Sequence, residues 1–384
     1  MTRDVRVLAR AKLTLSLRVR ERRPDGYHDL EALVVSLREP HDVIGLRLQP
    51  PFGVRVRLSG RAVVGVPTDD TNVAARAARL LLEAAAEGED PGPWAASGLD
   101  VSLHKSIPAG AGLGGGSADA AGTLVGGARL LGLGLDPAAL AAIGASLGSD
   151  VPFCVIGGVA WMRGRGETIE PLPFPGPARP AGPAGAGRRN GPPEPPAPPG
   201  RTVPTGPPTS TPLWPHQPGP ALPPVPPGAA RLPAGFPPPG PSGGTPWPAE
   251  PEPAGLSLVV AVPPFGLSTP AVYRVWDELG GPSSDRAVPT PSGLAGLDLP
   301  GHLVNDLEPA AEHLEPRLRA FREGLERLAG GPALLAGSGS AYVVAVSSPA
   351  QAAVVATQAG VELRAMAFAT GLAPRGVEAQ KGPD

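Results

Sequence analysis

Residues 5–19 alternate. Val5, Val7, Ala9, Ala11, Leu13, Leu15, Leu17 and Val19 share one parity, while Arg6, Lys12, Thr14, Ser16 and Arg18 take the other. Side chains of an extended chain point to opposite faces with period two, so the pattern predicts a long half-buried strand with Lys12 directed away from the core face. Shorter alternations at 54–58 and 99–103 predict two more strands. Alanine- and leucine-rich runs predict helices over 72–87, capped by Asp70 or Thr71, and over 137–147, where Asp136 caps and Pro137 opens the first turn. Further on, 256–262 reads as a buried strand and 269–279 as a helix opened by Thr269 and Pro270. A helical pattern over 308–328 is interrupted near Pro316. Strand-like 342–346, a helix over 349–359 and strand-like 363–368 complete the series. Strands and helices mixed on both sides of a central break predict two α+β domains.

Composition defines the break. The 384 residues include 55 prolines, and 31 of these fall between Pro173 and Pro253. That span has few aliphatic residues and no periodicity, so it cannot bury enough apolar area to offset its ordering entropy. The expectation is therefore a domain over 1–172, a disordered Pro/Gly-rich insertion of polyproline-II character over 173–255, and a second domain over 256–384. PxxP spacings in the insertion could serve weak polyproline-binding partners. Such spacings arise by chance in any proline-rich stretch, and a low-complexity linker is the plainer reading.

Charge and cysteine usage exclude several classes. With 33 Lys+Arg against 35 Asp+Glu the net charge is -2, without the basic excess of a nucleic-acid binder. A single cysteine, Cys154, supports neither an internal disulfide nor a thiolate metal site, which points to a reducing compartment. No apolar run approaches about 18 residues, so the expectation is a soluble cytoplasmic protein without a membrane partner.

The densest chemical signal lies between the strand ending near Lys105 and a helix running toward Leu131. There, five glycines occupy the seven positions from Gly110 to Gly116, followed by Ser117 and, two residues on, Asp119. Glycines let a backbone approach a ligand closely, and a helix N-terminus presents free N–H groups and partial positive charge, so this loop suits a polyphosphate. A Walker A reading fails because Gly116 stands in the lysine slot. A dinucleotide reading fails because no second strand ending in an acid follows about 20 residues on.

Residues 108–121 resemble the second motif of the GHMP kinases, the superfamily that includes galactokinase, homoserine kinase and mevalonate kinase. Residues 9–17 followed by 23–30, with Asp25-Gly26-Tyr27-His28, resemble the opening of its cytidylyl-substrate branch, and 147–153 resembles the catalytic segment. Residues 268–273, Asn305-Asp306-Leu307-Glu308 and 337–340 follow in the expected order. Thr14 stands where the branch commonly has Asn, and Ala118 where it has a second Ser. The resemblance implies an α+β, two-domain GHMP kinase fold, with a ribosomal protein S5 domain 2-like N-terminal domain and a ferredoxin-like C-terminal domain around the proline-rich insertion.

It also implies transfer of the γ-phosphate of ATP, with Mg2+, to the 2-hydroxyl of 4-diphosphocytidyl-2-C-methylerythritol. Asp150 would be the base and Lys12 the ammonium beside it. Pro108, Gly110, Ala111, Gly112, Leu113, Gly114, Gly115, Gly116 and Ser117 would cradle the nucleotide. Tyr27, His28, Thr269 and Tyr273 would hold the cytidylyl end, the tyrosines by stacking. No acidic cluster identifies metal ligands. Taken without the resemblance, Asp150 reads equally as a capping aspartate, Lys12 as a solvated strand lysine, Tyr27 and His28 as an exposed turn and Tyr273 as a core residue. The competing functions are another GHMP kinase acting on homoserine, mevalonate or a sugar, and a catalytically silent nucleotide-binding scaffold.

Overall fold

The computed structural model describes residues 4–24, 26–87, 97–174, 256–281 and 304–380. Residues 175–255, which hold nearly all of the expected insertion, lie outside the described residues. The first region contains β1 (Asp4–Arg22), β2 (His28–Gln49), β3 (Val54–Gly60), α1 (Val73–Glu87), β4 (Gly98–Lys105) and α2 (Gly115–Leu131). It continues through α3 (Pro137–Ala145), α4 (Val151–Ile156), β5 (Val159–Gly164) and β6 (Thr168–Leu172). The second contains β7 (Ser257–Val262), α5 (Thr269–Glu278), α6 (Glu308–Leu314), α7 (Arg317–Ala329), β8 (Ala333–Leu335) and β9 (Tyr342–Val346). It ends with α8 (Pro349–Glu362), β10 (Met366–Thr370), β11 (Leu372–Ala373) and β12 (Val377–Gln380).

Two sheets organise these elements. In the first, the strands run β12-β1-β2-β4-β3, with β5 and β11 also on β2 and β6 on β5. Only β3 and β4 pair in parallel among its ladders. The second is antiparallel in the order β10-β7-β9-β8. Numbering its strands by sequence gives 4-1-3-2 with helices after the first and third, which is the ferredoxin-like arrangement. The ends of the chain meet in the first sheet, where Arg6 to Ala9 of β1 pair with Gln380 to Val377 of β12.

Helix α2 lies against β1 and β2 because its inner face is nearly devoid of side chains. A Cβ at Gly122 would stand 2.4 Å from Ile44 Cδ1, and one at Gly126 would stand 2.6 Å from Leu46 Cδ1. That close approach fixes where the N-terminus of α2 emerges. At its other end a left-handed Gly132 closes the helix.

The alternation in β1 is real, but its polar face is not solvated. From Ala11 to Val19 every residue is buried, Lys12 with 9% exposure. The second domain covers that face: Asp306 stands 3.7 Å from Arg18, and a Cβ on Gly337 would lie 3.6 Å from Thr14 Oγ1 and 3.7 Å from Lys12 Nζ. Leu17 N–H donates along the strand edge to the Val304 carbonyl (2.7 Å). Lys12 does point away from the apolar face, as its parity predicts, and only its reading as a solvated strand lysine is corrected. It leaves the first core only to enter a domain interface. Two further differences are local. Within the segment 148–153, to which the sequence assigns no element, a short helix α4 starts at Val151, and the last strand of the second sheet is Met366–Thr370 rather than 363–368.

Candidate active site

The glycine loop runs from a half-buried Pro108 to the start of α2. Ala111 and Leu113 turn their side chains into the core (1% and 0% exposed), so they can offer a ligand only backbone. Gly114, with φ 69°, is the N-cap residue, and its carbonyl accepts the first helical hydrogen bond from Ala118 N–H (2.8 Å). The N–H groups of Gly115, Gly116 and Ser117 therefore precede the first intrahelical bond and point out of the helix end. Gly116 is exposed and Ser117 half-buried at this end. Aligned N–H groups and the helix dipole make it a site for phosphate oxygens. Ala118, in contrast, is fully buried, so the second loop hydroxyl has given way to a core methyl.

Lys12 runs beneath this helix start. A Cβ on Gly114 would lie 2.7 Å from Lys12 Cγ, so glycine at 114 is what lets the lysine stem pass. The ammonium reaches Asp150 Oδ2 at 3.3 Å and donates to Thr14 Oγ1 at 3.3 Å. Asp150 occupies the N-cap position of α4 but makes no side-chain cap hydrogen bond. Its carboxylate, 28% exposed, is held by Lys12 and left open to a ligand. A plain capping role does not describe this geometry.

A second glycine turn closes over the same point. Gly337 would place a Cβ 3.7 Å from Lys12 Nζ and 3.6 Å from Thr14 Oγ1. Ala341 N–H donates to the Ala111 carbonyl at 3.2 Å, tying this turn to the first loop. Thr269, the first residue of α5, shares a hydrogen bond with Ser338 through their hydroxyls (2.7 Å). Thr269 is exposed and lies beside the turn rather than next to His28 or Tyr27 among its recorded contacts.

His28 is the most enclosed member of the predicted cytidylyl end. It is 7% exposed, stacks on Tyr273 (centroids 5.7 Å, 15°), meets Trp276 edge-on at 5.1 Å, and shares a hydrogen bond from Nε2 to Asp277 Oδ1 at 2.9 Å. Tyr273 is half-buried, and burial followed by the negative charge of Asp150 raises its hydroxyl above the ordinary tyrosine value. The Arg165 guanidinium lies 5.0 Å over the Tyr27 ring. Next to it, Gly166 would place a Cβ 3.4 Å from Ser149 Cβ, so Tyr27 connects through Arg165 to the segment bearing Asp150. A depression of about 720 Å³ opens behind His28 and Asp277, bounded by Val19 to Arg22, Gly280 and Gly281. Asp150, Tyr27 and Tyr273 do not line it, so it is not the space between loop and carboxylate.

One charged group at the root of the loop escapes sequence reasoning. Lys105, at the end of β4, donates to Asp42 Oδ2 and to Asp119 Oδ2 (2.5 Å), with all three side chains at most 4% exposed. Asp42 Oδ1 also accepts the N–H groups of Ser106 (2.6 Å) and Ile107 (2.9 Å), the first residues of the loop. Asp119 Oδ1 has no hydrogen-bond partner among the described residues. Burial pushes the Asp119 carboxyl up to about 8, against the pull of Lys105 and with the help of Asp42. Lys105 is raised in spite of burial, because both carboxylates favour its charge. The two directions agree physically: one ammonium between two buried carboxyls stays charged, and the carboxyl with fewer donors tends to keep a proton. A charged pattern hidden in a β-strand otherwise rich in apolar residues was the available signal.

Among the described residues no group of three or more His, Cys, Asp or Glu is placed to hold a metal. Among them, too, no helix is long and apolar enough to cross a membrane.

Comparison with known proteins adds relatives to this geometry. The family described as GHMP kinases N terminal domain matches residues 72–158. The 4-diphosphocytidyl-2-C-methyl-D-erythritol kinase of Moorella thermoacetica is 32% identical over 344 residues, which cover 87% of each chain. The kinase of the same name from Cutibacterium acnes is 32% identical over 346 residues, 88% of this chain and 84% of its own. A crystal structure of 4-(cytidine 5'-diphospho)-2C-methyl-D-erythritol kinase aligns with a TM-score of 0.58 at 29% identity, covering 97% of this chain and 99% of that one.

Proposed function

The chain belongs to the 4-diphosphocytidyl-2-C-methyl-D-erythritol kinases of the GHMP superfamily, and from that premise we propose that it phosphorylates the 2-hydroxyl of 4-diphosphocytidyl-2-C-methyl-D-erythritol with ATP, in the non-mevalonate route to isoprenoids. The observation that carries the chemistry is the Lys12–Asp150 pair, 3.3 Å apart, with the lysine stem packed against Gly114 at the helix start.

In this reading the substrate alcohol enters beside Asp150, whose free carboxylate accepts the hydroxyl proton. The alcohol oxygen bonds to the γ-phosphorus as the bond to the ADP oxygen breaks. Lys12 serves both partners: it holds the carboxylate in place before transfer and offsets the phosphoryl charge during it. The N–H groups of Gly115, Gly116 and Ser117 hold phosphate oxygens, so the protein's work is mainly positioning and charge stabilisation. Magnesium, arriving with ATP, would screen the charge of the phosphates. Among the described residues no carboxylate cage is offered to it, and the Ser117 hydroxyl at the helix start is the side chain that would help to hold it.

Tyr27, His28 and Tyr273 supply the cytidylyl end, and Thr269 with Ser338 borders the phosphates from the second domain. Both substrates are charged and water-soluble, which supports a cytoplasmic site of action.

A coupled ADP-release assay offering the cytidylyl alcohol, homoserine and mevalonate in turn tests the reading. ADP release is expected with the first alone. Equal or faster turnover of homoserine or mevalonate overturns the substrate assignment, and release with none of the three overturns the kinase assignment.

A further inference from the structure

The segment Asn305-Asp306-Leu307-Glu308 has no role in the transfer described so far, yet it touches both domains at the site. Asn305 is 8% exposed, and its Nδ2 donates to two carbonyls of the glycine turn: Leu335 at 2.8 Å and Gly337 at 2.6 Å. Its Oδ1 accepts Leu307 N–H at 2.9 Å, which fixes the orientation of the amide. Asp306 holds β1, accepting Val19 N–H at 3.0 Å with Arg18 at 3.7 Å. Glu308 accepts Leu335 N–H at 2.9 Å. The segment thus joins the strand that carries Lys12 to the turn that covers Lys12.

Both amide hydrogens of one side chain are spent on that turn. The Gly337–Ser338 peptide is not among the cis bonds, so its C=O and N–H point in opposite directions. With the Gly337 carbonyl committed to Asn305, the Ser338 N–H is directed to the other side of the turn. On the loop side, Gly337 stands against Lys12, Thr14 and the Gly112 carbonyl, and the Ser338 hydroxyl is already bonded to Thr269.

We infer that Asn305 is a positioning residue for phosphoryl transfer: by holding the Gly337 carbonyl it presents the Ser338 N–H to the cleft between Lys12 and the glycine loop, as a second-domain donor to the moving phosphoryl group. The inference rests on the kinase reading above and adds the device that sets one of its donors. A donor fixed before the reaction stabilises developing charge without reorganisation, and a small displacement is costly.

The test compares the wild-type protein with Asn305→Ala and Asn305→Asp, the second being of the same shape but without the Nδ2 donors. Glu312→Gln, outside the turn and bonded to Arg319, Arg322 and Tyr342, controls for loss of second-domain stability. Turnover and both Michaelis constants are measured by ADP release, together with amide hydrogen exchange over residues 335–341. The expected result is a fall in kcat of about 10- to 100-fold in both Asn305 variants. The Michaelis constants for ATP and alcohol should stay within about threefold, with faster exchange in the turn and not in residues 110–121. Glu312→Gln should lower Tm while keeping kcat.

Unchanged kcat in the Asn305 variants, or an equal kcat loss in Glu312→Gln, overturns the inference while leaving the kinase reading intact. If Asn305→Ala does not fold, Asn305→Asp decides alone by the same criteria, and unchanged exchange in its turn also overturns the inference. Wild-type protein inactive on the cytidylyl alcohol refutes the kinase reading itself, and the inference with it.

Discussion

Gly112 and Ala336 belong to different domains, yet a Cβ on Gly112 would stand 2.3 Å from the Ala336 carbonyl oxygen. The Gly339 carbonyl would be 3.0 Å away, and the backbone at Gly112 has φ 77°. The two glycine turns are in backbone-to-backbone contact, and one methyl group would force them apart. Gly112→Ala should therefore cut kcat/KM by more than about 10-fold and lower Tm, since left-handed strain alone costs about 1–2 kcal/mol and a clash is added. Gly110→Ala provides the comparison: its φ is 69°, but nothing lies within 4 Å of the new Cβ, so only the strain remains. Steady-state kinetics and thermal melts on the pair read the difference. Equal effects would mean that the interlock is unimportant.

Asp150→Asn keeps the shape of the side chain and removes the proton acceptor. Turnover should fall by about 10²- to 10⁴-fold. Because Asp150 makes no cap hydrogen bond, Tm should move little. Near-normal turnover would remove Asp150 from the role of base.

Tyr27 lies under Arg165, 5.0 Å from the guanidinium, where the proposed function puts the cytidylyl group. Truncation to alanine should raise the Michaelis constant for the cytidylyl alcohol and change kcat less, since base–aromatic stacking is worth about 1–3 kcal/mol. A fall in kcat at constant KM would contradict stacking.

Asp119 gives the protein a pH dependence of definite sign. Its folded carboxyl lies at about 8, far above the ordinary 3.8, chiefly because of burial, with Lys105 opposing and Asp42 reinforcing. A raised value means that the fold favours the protonated form. Its contribution to stability is complete below the unfolded value, declines as pH rises, and is lost once pH passes about 8. Asn at 119 cannot titrate. The stability difference between wild type and Asp119→Asn should therefore shift against the wild type from pH 5 to pH 8.5 and then level off. Denaturant melts at several pH values measure it, and a flat difference would refute the assignment.

Much of this was legible in the sequence, and the rest was hidden for identifiable reasons. The apolar parity of 5–19 announced β1, and the glycine cluster with Asp136-Pro137 placed α2 and α3. The strand β2 was not anticipated, although it is the longest. Its residues Ala32 to Leu37 are buried on both faces, which erases period-two alternation, and Pro40 reads as a strand breaker. Lys12 and Asp150 were named from motif resemblance, because an isolated lysine or aspartate has no signature of its own. Their 3.3 Å approach brings together β1 and the N-cap of α4, and the two residues stand 138 positions apart in the chain. Asp42 gave no local cue, Lys105 only that of a charge at the end of a strand, and Asn305 only its place in a resembling motif, without a role. Each acquires its partner only when strands distant in the chain come together, and a polar residue destined for burial looks like any surface residue until then.

The pairing of Arg6 through Ala9 with Gln380 through Val377 has a consequence for biogenesis. As the polypeptide leaves the ribosome, this stretch of β1 waits for a neighbour that is translated some 370 codons later, so its outer edge from Arg6 to Ala9 stays unpaired until β12 emerges. The ferredoxin-like half can complete its own hydrogen bonding earlier than the half that precedes it. A message cut short before residue 377 would yield a protein with an open strand edge there, a template for pairing with another chain.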